Sequence, residues 1–432
     1  MKPLLCAVML LLADTCLLPA QTPVWSLDEC VVYALQHNCE VLLQKIGEAK
    51  SRQKAALSKL ELLPTLSFHA NQYYNWGRSV DMQELVIVKN RLTRQTSASI
   101  GASLSLFDGF ATINTITMNR CLAEAASQAV RQTEFEVKAE VARAYLANIL
   151  AKLTRERLKD SYEKICLQME RLESAVAAGA TKTSDLMEME AKAADVRSQI
   201  ASAESEERSR MQQLKNLMAC NDLFDTGLEA ENQSEAVAPV TFEDGDLTPP
   251  DVYAARSEAK AAAMALKVAR GALFPSLTLS AGYGTYYSDA AGAPFMEQLD
   301  GNRNPSVSLT LAIPLFDSGR RLTAIAGAKA DKRLSEVKLR QASEKAALYK
   351  ADMLEEYHLL LQQCEICRQK CQLQHKRMAV ATAEYELGAM TTSQWIDAGE
   401  ALAESECEMV QYMCKYLFQV KIMEYYRDGC RR

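Results

Sequence analysis

Four side chains in the second half of the chain have the types and spacing of a metal site. Cys364, Cys367, Cys371 and His375 follow at steps of three, four and four residues, so a helix carries them on one face. A plainer reading is packing: cysteine is small and weakly apolar, and fills seam positions between helices where Leu or Ala stands elsewhere. Zinc sites usually draw ligands from a turn as well as a helix, which favours packing, so no metal or cofactor is expected. Cys364-x-x-Cys367 also lacks the following His of a haem attachment site. A Walker-type phosphate loop, His-Glu-x-x-His and Gly-x-Ser-x-Gly are all missing, and the histidines are His37, His69, His358 and His375. The chain does not read as an enzyme. Its net charge of -6 gives no nucleic-acid footprint.

The elements that position these residues are duplicated. Leu62-Leu63-Pro64-Thr65-Leu66 returns as Leu273-Phe274-Pro275-Ser276-Leu277, and Leu106-Phe107-Asp108-Gly109 returns as Leu315-Phe316-Asp317-Ser318. A third block, Gly179-Ala180-Thr181-Lys182-Thr183-Ser184-Asp185, returns as Gly388-Ala389-Met390-Thr391-Thr392-Ser393-Gln394, and all three pairs lie about 210 residues apart. The expected organisation is an export signal over 1–20, a first repeat over 21–220, an acidic linker over 221–250, a second repeat over 251–426 and a tail over 427–432. Each repeat runs helix, β-hairpin (64–109 and 274–319), long helix, tip turn (179 and 388), helix.

Two segments per repeat alternate with period two. Leu66, Phe68, Ala70, Tyr74 and Trp76 oppose Thr65, Ser67, His69, Asn71 and Asn75, and Ala98, Ile100, Ala102, Leu104 and Leu106 oppose Ser97, Ser99, Gly101, Ser103 and Ser105. In the second repeat Leu277, Leu279, Ala281 and Tyr283 oppose Ser276, Thr278, Ser280 and Gly282, while Val307, Leu309, Leu311, Ile313 and Leu315 oppose Ser306, Ser308 and Thr310. Strands of about 10 to 13 residues suit a tilted membrane crossing. Ser, Thr, Gly and Asn on the polar face suit a lumen, and Tyr73, Tyr74, Trp76, Tyr283, Tyr286 and Tyr287 suit an interfacial girdle. A soluble sandwich also alternates, but four strands split by long helices fit it poorly. Four strands cannot close a barrel, so several chains are needed. Segments 77–96 and 290–303 are expected as loops.

The rest is expected as helix, including two stretches of about 100 Å at 1.5 Å per residue. Leu158, Tyr162, Ile165, Met169, Leu172 and Val176 follow a coiled-coil seam in the first, and Leu354, Tyr357, Leu361, Cys364 and Cys371 continue it in the second. Other helices run from Ser26 to about Leu62, with Ser26 and Glu29 as a capping box, and from about Pro250 to Leu273; those after the tips reach about Met218 and about Tyr426.

At the N-terminus Lys2, an apolar run from Leu4 to Leu18, and Leu18-Pro19-Ala20 before Gln21 read as an export signal. Lipidation at Cys16 is the alternative, disfavoured by Asp14 and Thr15 before it. Removal of the signal leaves eleven of the thirteen cysteines, an odd number that cannot pair fully within one chain.

Signal, duplicated hairpins, paired Leu-Phe-Asp strand exits and Gly turns together resemble the TolC-type outer-membrane efflux channels along essentially the whole mature chain. The resemblance implies a mixed α/β membrane protein: a homotrimer whose twelve strands form one outer-membrane barrel, continued by a helical coiled-coil barrel across the periplasm. It implies a passive exit duct for small molecules or proteins, working with outer-membrane lipid, a periplasmic adaptor (membrane fusion) protein and an inner-membrane transporter of RND or ABC type. Gly179, Ala180, Thr181, Gly388, Ala389 and Met390 become adaptor-contacting tips. Asp185, Tyr385, Gln394 and Asp397 become pore or gate residues, with Asp397 in an acidic ring. Met390 stands where the family often has a latching Arg, and Gln394 where a second acidic ring sits. Capping or solvation of helix starts by Asp185 and Asp397, and turn formation by the two glycines, remain the local alternatives. The alternative function is a soluble periplasmic coiled-coil scaffold or adaptor.

Overall fold

The structure is a computed structural model that describes residues 23–80, 87–179, 182–221, 224–227, 249–289 and 293–430. The expected export signal, Ala180, Thr181 and most of the acidic linker lie outside the described residues. The chain divides into two compact units that cut across the sequence repeats. One comprises Met1–Gln44, Arg131–Pro249 and Ala346–Arg432, the other Lys45–Val130 and Pro250–Lys345.

The second of these holds one four-stranded antiparallel sheet, in the order β2 (Thr65–Val80), β3 (Ile87–Phe107), β5 (Ser276–Ser288) and β6 (Asn304–Ala312). The register carries side chains of one kind straight across it. Leu66 pairs with Ala102, Ala102 with Ala281 and Ala281 with Val307; the next row runs Phe68, Ile100, Tyr283, Pro305. Alternate positions give Ser67, Gly101, Gly282 and Ser306, then Thr65, Ser103, Ser280 and Ser308. One face is apolar and the other is built of small hydroxyl and glycine residues. The apolar face is bare: Leu66 is 71% exposed, Phe68 68%, Val307 77% and Leu309 62%.

Three expectations need correction here. Segment 77–96, expected as a loop, is strand where it is described, at 77–80 and 87–96, because hydrogen bonding continues past Trp76, from Trp76↔Leu92 to Val80↔Ile87, after the polar/apolar alternation lapses. Segment 290–303 is more than a loop, since Phe295–Gly301 forms helix α6. Its Gln298 Nε2 donates to the carbonyls of Ser288 and Ala293, and its Oε1 accepts from Ser288 N at 2.9 Å. Strand β6 stops at Ala312 although the alternation runs to Leu315, as Pro314 has no N–H to donate.

The repeated strand exits have a local cause. Helix α3 (Ala111–Ala177) starts where Asp108 Oδ2 accepts from Thr112 N at 2.8 Å, and helix α7 (Arg320–Glu386) where Asp317 Oδ2 accepts from Arg321 N at 3.0 Å. Each Asp satisfies an amide that the helix start leaves without a partner. Gly109, at φ 68°, also allows close approach: a Cβ there would stand 2.2 Å from the Gly271 carbonyl oxygen, at the end of helix α5 (Pro250–Gly271).

In the other unit, helix α1 (Leu27–His37) opens with the expected capping box, Ser26 N donating to Glu29 Oε2 at 2.8 Å. The single helix expected from Ser26 to Leu62 is broken at Asn38, and helix α2 (Cys39–Leu57) follows. Asn38 Oδ1 accepts from Glu40 N at 2.8 Å and its Nδ2 donates to the Leu217 carbonyl near the end of helix α4 (Thr183–Met218). The side chain competes with the helical backbone and wins.

The acidic segment is not all exposed linker. Asp225–Thr226 forms β4, which pairs in parallel with β1 (Val24–Trp25), and Phe224 stacks on Trp25 with ring centroids 4.7 Å apart. Asn148 Nδ2 on α3 donates to Thr226 Oγ1 at 2.7 Å. The last helix, α8 (Thr392–Cys430), also runs through most of the expected tail.

The seam of α7 is largely as expected, with Tyr357 and Cys371 buried and Leu354 and Cys364 packed against the same face, but Leu360 takes the place of Leu361. Met353, Tyr357, Leu360, Cys367 and Cys371 are buried, whereas Leu361 is 42% exposed. Cys364 packs beside them against a cluster with Tyr416, Val420 and Met423 of α8. His375 is turned to Glu406, Nε2 to Oε1 at 3.0 Å. Cys364, Cys367 and Cys371 are therefore packing residues between antiparallel helices. Burial pushes all three thiols up. Among the described residues no group of three His, Cys, Asp or Glu has the geometry of a metal site.

Candidate pore-tip site

The two tip turns differ in how they are held. At the second, Gly388 N donates to the Tyr385 carbonyl at 3.0 Å and Ala389 N to that of Glu384 at 2.9 Å, the paired bonds of a Schellman ending. Gly388 has φ 72° and Gly179 φ 71°, so both positions need the left-handed region. A Cβ on either would meet nothing within 4 Å. Backbone conformation, not crowding within the chain, calls for glycine here.

Helix α8 then opens with a reciprocal cap. Thr391 N donates to Gln394 Oε1 at 3.1 Å, and Gln394 N to Thr391 Oγ1 at 3.3 Å. Gln394 thus has a definite local task, which the sequence pattern Thr-x-x-Gln contained. Tyr385 shares a hydrogen bond with Thr392, oxygen to oxygen at 3.3 Å, and its ring lies 5.7 Å from that of Trp395. Trp395 Nε1 in turn donates to Thr382 Oγ1 at 3.3 Å. The second tip is clasped by its own side chains.

At the first tip, Asp185 lies in the opening turn of α4, where a carboxylate suits the positive end of the helix dipole. Its backbone N donates to the Lys182 carbonyl at 3.1 Å and its Oδ1 accepts from Ser184 Oγ at 3.2 Å. The side-chain hydrogen bonds of Tyr385 and Asp185 described here stay within their own hairpins.

An apolar cluster joins the hairpins. Ile165 and Leu172 of α3, Met189, Ala193 and Val196 of α4, and Trp395 of α8 form its buried part, with Tyr385 and Met390 packed against it. Met390, in place of a cation, adds apolar contact. Ion pairs span the same hairpins: Lys192 with Glu400, Arg171 with Glu386 at 3.6 Å, and Arg157 with Glu406 at 3.9 Å. Trp395, Lys192 and Glu400 were not singled out by the sequence; a Trp at a helical seam position was the one available signal.

Asp397 is exposed and lines a cleft of about 510 Å³ with Gln394, Met390, Glu384, Lys376 and Arg377. Two cations therefore border the carboxylate expected to select for cations. Gln394 and Asp397 share this cleft; Asp185 is not among its lining residues.

Comparison with known proteins gives consistent matches. A sequence model described as "Outer membrane efflux protein" matches residues 31–219 and 248–417. Outer membrane protein OprJ of Pseudomonas aeruginosa is 26% identical over 327 residues, which are 72% of this chain and 65% of that protein, just under two thirds of its length. A probable efflux pump outer membrane protein, TtgC of Pseudomonas putida, is 25% identical over 404 residues, 89% of this chain and 79% of the other. The crystal structure of the outer membrane protein VceC from Vibrio cholerae superposes with a TM-score of 0.79 at 17% identity, covering 93% of this chain and 96% of that one.

Proposed function

Because the chain belongs to the outer membrane efflux protein family, we propose that it is the outer-membrane exit duct of a tripartite efflux or type I secretion system. The sheet carries this reading: a bare apolar face suits lipid, and its Ser, Thr and Gly face suits a wet lumen. Among the described residues the outer edges of β2 and β6 have no strand partner, and these edges supply the oligomer argument. Backbone groups at an open edge cost several kcal/mol each in hydrocarbon, so three chains close a twelve-stranded barrel.

The helices of the other unit form the periplasmic conduit, with the turns at Gly179 and Gly388 offered to a periplasmic adaptor. An inner-membrane transporter of RND or ABC type supplies the energy and the partner selects small-molecule or protein cargo. The duct itself is passive and has no catalytic site. Asp397 lines the entrance beside Gln394, and Tyr385 and Asp185 hold their tips in the closed form. Fractionation tests the reading: purified outer membranes should hold the protein as a detergent-stable trimer. Recovery as a soluble periplasmic monomer sinks it.

A further inference from the structure

We infer that Cys30 and Cys220 are joined by a disulfide in the exported protein, an inference that rests on the outer-membrane reading because the bond needs an oxidising compartment. The two thiols are brought together by anchors on either side. Trp25 pairs with Thr226 and stacks on Phe224, and Asn38 Nδ2 donates to the Leu217 carbonyl at 2.8 Å. Cys30 lies between Trp25 and Asn38, and Cys220 between Leu217 and Phe224, so these anchors hold the two cysteine-bearing segments side by side.

Ala219 sharpens the placement. It takes φ 53°, unusual for a residue with a Cβ, and Cys220 N donates back to the Lys215 carbonyl at 3.0 Å. That turn directs Cys220 into the core instead of onward along the helix. Both residues belong to one apolar cluster, where Cys30 is 0% and Cys220 2% exposed. Burial, then Glu29 and the Cys220 thiol, push Cys30 up to about 12. Both cysteines are free in this structure.

The chemistry belongs to the newly exported chain, before burial suppresses the thiolate. One cysteine thiolate attacks the disulfide of a thiol-exchange oxidant, releasing one oxidant thiolate and leaving a mixed disulfide. The second cysteine thiolate displaces the other oxidant sulfur. The chain loses two electrons and two protons, and the oxidant leaves as its dithiol. The closed loop holds about 190 residues and contains the entire first helical hairpin, so the bond restricts the unfolded chain strongly.

The test uses full-length protein from purified outer membranes, denatured in iodoacetamide without reductant, digested with trypsin and read by mass spectrometry. The expected product is the Cys30 peptide linked to the Cys220 peptide. Cys39 shares the tryptic peptide of Cys30, so a Cys39→Ser variant should keep the link and a Cys30→Ser variant lose it. Outer-membrane protein alkylated at both Cys30 and Cys220, or with Cys30 linked elsewhere, overturns the inference while leaving the channel reading intact. Recovery of the chain from the cytoplasm overturns the location itself, and the bond with it.

Discussion

The carboxylate of Asp397 and the thiol of Cys414 show how neighbours decide what a side chain does. Asp397 is exposed and shares its cleft with two cations, Lys376 and Arg377, and a second carboxylate, Glu384. Under the proposed role, Asp397→Asn should lower cation preference in planar-bilayer recordings without abolishing conduction; unchanged selectivity removes Asp397 from the pore. Cys414 faces the opposite constraint. Burial, followed by the nearby Cys364, pushes its thiol from 9.0 up to about 11. A thiol raised on folding contributes its full stability below the unfolded value, and that stability is lost as pH rises from about 9 through 11. The unfolding free energy from denaturant titrations should therefore fall over this window, by about 2–3 kcal/mol if Cys414 acted alone. Burial raises Tyr416 and Tyr425 as well, so Cys414→Ala should flatten the decline only partly; an unchanged slope excludes Cys414. At this scale the sequence was legible where chemistry is local, as at Ser26 with its Glu29 capping box, whereas Asp108 and Asp317 were visible as repeated strand exits and not as helix caps. It was less so at Gln394, where the same residue fits a pore ring and a helix cap, and only coordinates reveal the hydrogen bonds to Thr391.

Helices and hairpins were legible by period, and the misreading on α7 came from phase. Leu360 and Leu361 are adjacent leucines and either extends a seam of threes and fours, but α8 covers Leu360 to 6% exposure and leaves Leu361 at 42%. The partner helix fixes the phase, and a single strip of sequence does not contain it. Asn38 broke a continuous helical pattern for a similar reason, since its bond to Leu217 joins residues 179 positions apart. The clasp at the second tip is the element-level feature with the largest expected effect. Trp395 is 8% exposed and touches both hairpins through the apolar cluster, so Trp395→Ala should cost about 3–5 kcal/mol, the range for removing a buried Trp side chain. Hydrogen exchange should speed at Tyr385 and Thr392 while amides around Tyr145 stay protected. Uniform loss of protection along the whole chain would count against a tip clasp, and no change would show that the cluster carries no load there.

For the molecule as a whole, the decisive property is the division of one sheet into two faces, which alternation announced and strand register assembled. Period two says that neighbours in sequence point apart, but only the pairing of β2 with β3, β3 with β5 and β5 with β6 aligns like with like across both repeats. Ser308 and Leu309 are adjacent on β6 and belong to opposite faces, which makes them a matched probe. If the apolar face meets lipid, Leu309→Lys places a charge in hydrocarbon at a cost of about 2–4 kcal/mol near the bilayer midplane. The variant should be depleted from outer membranes and unfold from liposomes at lower denaturant than the parent. Ser308→Lys places the same charge in water, so it should insert normally and shift single-channel selectivity towards anions, three lysines entering one lumen in the trimer. Equal tolerance of both substitutions, or anion selectivity arising from Leu309→Lys instead, would reverse the assignment of faces and remove the main support for a pore lined by this sheet.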